Sequence, residues 1–391
     1  MSSHTHPTAG RRLRWGMVGG GPGAFIGNVH RMAARLDDGI ELVCGAFSSS
    51  PEKSAAAGRE LYLDPARAYG SWEEMIRVEA AKPADERPDF ISIVTPNHLH
   101  FPPAMAALEA GFHVVSDKPM TVTADEARRL VAKADETGLV FGLTHNYTGY
   151  PMVKQARAMV AAGELGTVRR VLVEYPQGWL SDRLEATGQK QAAWRSDPAK
   201  SGAAGAIGDI GTHAENLASY VIGQEPAELL AELTRFVDGR ALDDDASVLL
   251  RFDGGAKGLL FCSQIAAGEE NALRLRVYGE TGGLEWRQEE PNTLRVTAHN
   301  GPATLLRTAV GDLSAAAQAT TRLPSGHPEG FIEAFANVYR GVAQAIRRHA
   351  GEDLSGVPAI DFPTVADGLK GMRFIEAVVE SDRGGNVWTT L

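Results

Sequence analysis

Cysteine is nearly absent. The 391 residues hold two, Cys44 and Cys262. Each sits in an apolar run, where a free thiol behaves as a small buried hydrophobe. Two distant thiols make no disulfide framework, so a reducing cytoplasm is the expected compartment. Long apolar runs are missing too. The best, over 91–94 and 259–261, fall far short of the roughly 20 residues a bilayer-spanning helix needs, and no membrane partner is expected. The first ten residues are polar, without the apolar core of a secretory signal, and are expected to form a flexible tail. Positive charge is in deficit: the formal net charge is −10, which repels nucleic acids and anionic lipid surfaces. What is present, 43% hydrophobic and 23% charged residues, is ordinary globular composition. The length suggests two or three domains at roughly 150 residues each.

Over residues 11–146 the pattern is strand, turn, helix, repeated. Strands are expected at 13–18, 40–47, 90–94, 112–116 and 139–143. Their near-continuous apolar runs suit parallel strands buried on both faces. Between them lie helices at 25–36 and 104–110, and others opened by recognisable starts. Ser50 is an N-cap followed by Pro51, and Ser71 with Glu74 and Thr123 with Glu126 form capping boxes. Alternation of this kind predicts an α/β, doubly wound parallel sheet. From residue 147 the texture changes. Period-two strands are expected at 168–175, 229–236, 247–252, 258–262 and 273–278, joined by turns such as Asp238-Gly239 and Asp253-Gly254-Gly255. Helices at 152–162, 328–349 and 363–381 complete an α+β domain, 147–391, with a mainly antiparallel sheet.

The first strand runs into Gly19-Gly20-Gly21-Pro22-Gly23-Ala24, and a helix follows. Gly19, Gly21 and Ala24 fit G-x-G-x-x-[G/A], the dinucleotide fingerprint of a Rossmann domain in its required context. Gly19, Gly21, Pro22, Gly23 and Ala24, with Phe25 and Ile26 opening the helix, are expected to cradle a pyrophosphate on free N–H groups. Gly23 and Gly27 extend the run, which leaves the loop's register open. The second strand ends in Phe47-Ser48-Ser49-Ser50, without the acid that would hold a ribose diol. Ser48, Ser49 and Lys53 suit a 2′-phosphate, a slight lean to NADP over NAD; the serines equally suit capping the next helix.

Three polar patches carry the chemistry. Thr95-Pro96-Asn97-His98-Leu99-His100 and Asp117-Lys118-Pro119 each follow a parallel strand, at the end where open α/β sheets bind ligands. Thr95, Pro96, Asn97, His100, Asp117 and Lys118 are candidate cofactor contacts. His98 and His100 lack cysteine or carboxylate partners and are not read as a metal site. In the third patch, Asp209 and His213 lie four apart and share a face if helical. A carboxylate beside an imidazole orients it and raises its basicity. Tyr147, Tyr175, Trp179, Trp194, Arg195 and His327 are candidate substrate contacts, since aromatic faces and bidentate donors suit polyhydroxylated rings.

Together the patches resemble the Gfo/Idh/MocA oxidoreductase family: a glycine fingerprint, a T-P-N-x-x-H loop, an E-K-P tripeptide (here Asp117-Lys118-Pro119, one methylene shorter) and a D-x-x-x-H pair. The resemblance implies an open, mainly antiparallel second sheet that builds homo-oligomers, dimers or tetramers. It implies hydride transfer between NAD or NADP and a secondary alcohol or ketone of a sugar or cyclitol, with no metal. On that reading His213 is the general base, with Lys118 the rival proton carrier. Asp209 orients the imidazole, and Lys118 stabilises charge on the reacting oxygen. Two other classes stay open: a glycosidase or lyase that oxidises its sugar transiently, and a cofactor-binding regulator without chemistry.

Overall fold

Buried apolar runs and glycine-rich breaks build the first unit as alternating strands and helices. The computed structural model describes residues 11–391, so the expected tail at 1–10 lies outside the described residues. Five strands make an all-parallel sheet in the order β2-β1-β3-β4-β5: β1 (Leu13–Gly19), β2 (Ile40–Ala46), β3 (Phe90–Val94), β4 (His113–Ser116) and β5 (Phe141–Leu143). Every residue of β3, β4 and β5 is buried, which explains their mostly apolar composition. The chain steps from β1 outward to β2, then returns to β3 on β1's other side. This reversal opens a crevice at the strands' carboxyl ends. Ser50 caps the helix Pro51–Glu60 by accepting from the Lys53 N–H at 3.3 Å, and Ser71 caps Trp72–Ala80 through the Glu74 N–H at 3.2 Å.

The two compact units do not divide at one point. Residues Phe331–Gly368 belong to the first unit, where a boundary near 147 placed them in the second, and Val122–Ala124 belong to the second. The helix Phe331–His349 shows why. Its buried stripe of Phe335, Ala336, Tyr339, Val342 and Ile346 joins Trp15, Val29 and Phe90 in one core. Trp15 stacks on Phe90 at 6.2 Å between centroids, and Tyr339 packs against both rings. Tyr339 Oη also lies 2.7 Å from His30 Nδ1. Beyond the helix the chain runs back beside β5, where the Leu143 N–H donates to Pro363 O at 2.8 Å.

The second unit is built on a nine-stranded sheet in the order β13-β12-β11-β10-β6-β9-β8-β7-β14. Its strands are β6 (Val168–Pro176), β7 (Pro226–Thr234), β8 (Asp245–Phe252), β9 (Lys257–Ser263), β10 (Arg274–Gly279), β11 (Gly282–Arg287), β12 (Thr293–Ala298), β13 (Ala303–Arg307) and β14 (Thr389–Thr390). All neighbours are antiparallel except β6 and β9. Burial alternates along β8, so one face packs and the other stays open. The strands β11 to β14 lie outside those expected from the sequence, and β12 and β13 are largely exposed. Helices Pro151–Ala161 and Thr212–Ile222 also belong to this unit. No helix among the described residues is long and apolar enough to cross a membrane.

Candidate active site

The glycine loop leaves β1 with Gly19, Gly20 and Gly23 at φ of +84°, +70° and +77°, a region other residues rarely enter. The Gly21 N–H donates to Phe47 O at 3.1 Å, sewing the loop to the end of β2. The helix Phe25–Arg35 begins at Ala24 with no side-chain cap and no acid in its first turn. Unmet N–H groups without nearby negative charge fit a pyrophosphate. The register is settled by packing. A Cβ on Gly27 would sit 2.4 Å from Gly20 Cα, so Gly27 carries the close-packing role that the fingerprint assigned to Ala24. The Ala24 N–H is committed to Gly21 O at 3.0 Å.

At the end of β2, Ser48 Oγ accepts from the Ser50 N–H at 3.2 Å, and Ser50 Oγ donates to Glu52 at 2.7 Å. Two of the three serines therefore order the turn and cap the helix. Ser49 and Lys53 are exposed beside them. After β3, Thr95 Oγ1 donates to Leu99 O, and Asn97 is buried. His100, expected to meet the cofactor, is 1% exposed. Its two ring nitrogens face Pro119 O and Thr95 O, each at 2.8 Å. Both carbonyls only accept, and burial lowers the ring's pKa. A neutral His100 thus satisfies one carbonyl at a time, tying the two strand-end loops together. Asp117 Oδ1 accepts from the Lys118 N–H at 2.9 Å and from the Thr144 hydroxyl at 2.8 Å. The shorter acid thereby fixes the backbone from which half-buried Lys118 projects. His145, a residue without motif context, is buried nearby. Burial first, and the Lys118 charge second, depress its pKa to about 3.

In the second unit, the turn bearing Asp209 is π-helical, Ile207–Gly211, and leads directly into the α-helix Thr212–Ile222. Such wide turns recur at functional sites. The pair expected one α-turn apart therefore straddles the π-to-α junction. Asp209 Oδ2 accepts from Arg195 Nε at 3.0 Å and from Gln264 Nε2 at 2.9 Å. Arg195 lies with its guanidinium 4.2 Å over the Trp194 ring. It was expected at substrate, and here it holds the acid. His213 is 7% exposed, with Tyr147 and Tyr175 edge-on at 4.8 and 6.4 Å between centroids.

The hydrogen bonds around those tyrosines have a fixed direction. An indole N–H only donates, so Trp179 Nε1 gives its proton to Gln177 Oε1 at 3.0 Å. Gln177 Nε2 then donates to Asn271 Oδ1 at 2.8 Å, which leaves Asn271 Nδ2 to donate to Tyr147 Oη at 3.3 Å. Tyr175 Oη gives its single proton to Asn271 Oδ1 at 2.7 Å, so Tyr147 must be the donor between the two phenols. Burial raises the pKa of both. Both phenols stay neutral with their protons committed. Gln177, Gln264 and Asn271 carried no sequence signal, being lone amides at strand ends and turns. His327 is exposed on a turn against Pro324 O and Ser325 O, ahead of its helix, which begins at Phe331 rather than 328.

The chain is similar to known proteins along nearly its whole length. Residues 13–145 match the oxidoreductase family with an NAD-binding Rossmann fold, and residues 153–285 match the GFO/IDH/MocA C-terminal domain. The uncharacterized oxidoreductase YfiI of Bacillus subtilis (strain 168) is 34% identical, over 96% of each chain. An oxidoreductase of known structure from Sinorhizobium meliloti is 48% identical at a TM-score of 0.87, covering 97% of this chain and 100% of its own. An inositol dehydrogenase homolog from Azotobacter vinelandii, solved with NADH and myo-inositol, is 36% identical at a TM-score of 0.90, covering 97% and 98%. A strand-end glycine loop, an Asp-Lys-Pro turn, an Asp–His pair and likeness along nearly the whole chain lead to one assignment: the chain belongs to the Gfo/Idh/MocA family of NAD-binding oxidoreductases.

Proposed function

We propose that the protein oxidises a secondary alcohol of a sugar or cyclitol. The observation that carries this reading is an acid held by two donors, Arg195 and Gln264, on the same short segment as a buried imidazole. The relative solved with myo-inositol supports the substrate class. When bound, the nicotinamide supplies a hydride acceptor. Residues 19–27 hold its pyrophosphate, the loop at 95–100 flanks it, and Asp117 sets Lys118 in place. Lys118 hydrogen-bonds the reacting oxygen and stabilises the negative charge that develops there. His213 takes the hydroxyl proton, and Asp209 orients a neighbouring hydroxyl and the imidazole. Tyr147, Tyr175, Trp179 and Trp194 offer rings and amide-tied hydroxyls to the polyol.

NAD is the preferred cofactor on this reading. The Ser50 hydroxyl donates its proton to Glu52, and that carboxylate past the end of β2 opposes a 2′-phosphate. The open sheet face, where Leu249 pairs with Leu259 and both are exposed, supports a homo-oligomer. A panel of sugars, cyclitols and glycosides assayed with NAD+ and NADP+ tests both points. We expect oxidation of a polyol with kcat/KM at least about tenfold higher for NAD+, a gap of roughly 1.4 kcal/mol. Preference for NADP+ overturns the cofactor reading, and cleavage of a glycoside without net reduction overturns the reaction. His213→Ala is expected to lower kcat by roughly 10²- to 10⁴-fold with NAD+ affinity unchanged. An unaffected turnover removes His213 from the base role.

A further inference from the structure

We propose that Asp243 is a positioning residue that clamps the start of the segment bearing Asp209 and His213. This inference rests on the reaction proposed above. The sequence runs Asp243-Asp244-Asp245, the last of which opens β8. Asp243 is 7% exposed. Its side chain accepts from the Gly205 N–H at 2.6 Å through Oδ1 and from the Ile207 N–H at 2.9 Å through Oδ2. Its own carbonyl accepts from the Ala206 N–H at 2.9 Å. One residue from the loop ahead of β8 thus meets three successive N–H groups where the turn begins. These are the donors a helix start leaves unmet.

The hold passes directly to the acid. The clamped Gly205 presents its carbonyl to the Asp209 N–H at 2.9 Å. From the other side, Gln264, which donates to Asp209 Oδ2, has its own N–H on Asp244 O at 2.8 Å. Residues 243–244 therefore grip Asp209 through its backbone and through its carboxylate. The fit leaves no room for a side chain at residue 205, since a Cβ there would lie 2.1 Å from Asp243 O. Such a grip acts on turnover through geometry, because misplacement by about 1 Å costs roughly 100-fold in rate.

The test uses the full-length chain. Asp243→Asn keeps the shape but replaces one acceptor by a donor facing an N–H group. Gly205→Ala pushes the same backbone apart without changing any charge. In both variants amide exchange over 205–213 should accelerate at least about tenfold, while the rest of the second unit and the Kd for NAD+ stay as in the wild type. With the best polyol, kcat should fall roughly 10- to 100-fold and KM by far less. Asp243→Glu, which retains both acceptor oxygens, should recover part of the loss. Unchanged exchange over 205–213 in folded Asp243→Asn overturns the clamp, and so does a kcat within twofold of wild type. If the wild type oxidises no polyol, the reaction reading fails, and the exchange measurement alone decides whether the clamp exists.

Discussion

One methyl group at Gly27 would meet Gly20 Cα at 2.4 Å, backbone against backbone, with no flexible end to give way. Gly27→Ala should push the helix Phe25–Arg35 off its loop at a cost of about 1–3 kcal/mol. The Kd for NAD+ should rise roughly tenfold or more, which a titration of nicotinamide fluorescence or tryptophan quenching would read. A Kd equal to wild type would mean that the close approach does not shape the phosphate cradle. The same residue shows how far motif reading reaches. Spacing put the third small position at Ala24, whereas packing puts it at Gly27, because helix-to-loop distance is a property of folded backbone and not of spacing. His100 and Arg195 teach the same lesson. Their residue types suited ligand contact, and the fold gives both His100 ring nitrogens carbonyl neighbours, Pro119 O and Thr95 O, and Arg195 Nε the carboxylate of Asp209.

At the scale of elements, the helix Phe331–His349 packs on the parallel sheet through apolar contacts and is tied to the helix Phe25–Arg35 by a polar one. Trp15 Nε1 donates to Ser92 Oγ at 2.7 Å, and Tyr339 Oη reaches His30 Nδ1, whose ring is fully buried. Tyr339→Phe leaves that nitrogen without a partner in the core, a cost of about 1–3 kcal/mol. The expected result is a lower urea midpoint for the transition that NAD+ stabilises, since ligand binding identifies the unit that carries it. No change in midpoint would assign the hydroxyl no net role. The helix itself was legible from its amphipathic period. Its membership in the first unit was not, because an apolar stripe states that a face is buried but not against which sheet. The π-turn Ile207–Gly211 was hidden for a related reason: the carboxylate that meets its first N–H groups lies some 36 residues away.

At the scale of the molecule, three buried histidines make the first unit sensitive to acid. Burial is the largest cause for each. It lowers His30 and His113 to about 4 and His145 to about 3, with Asp117 opposing the shift at His30 and the Lys118 charge adding to it at His145. Their folded values lie below the unfolded value of about 6.5, so between those limits the unfolded chain binds more protons. Stability therefore rises with pH through that window and is lost as pH falls from about 6.5 towards 4, by on the order of 3 kcal/mol for each ring. The urea midpoint of the NAD+-stabilised transition should fall steadily from pH 7 to pH 5. A flat profile would show that the rings find protons or partners before unfolding.

The sequence by itself determined the fold class, the glycine loop after β1 and the strand-end positions of Thr95 and Lys118. These are local facts: periodicity, turn chemistry and short spacings act within a few residues of chain. Tertiary structure alone decided which glycine meets the helix, which sheet the helix Phe331–His349 covers, and which groups hold Asp209. Each of those answers comes from residues far apart in sequence, Gly20 being the nearest case and Asp243 and Gln264 more typical. Their contacts exist only once burial has removed water as the alternative partner.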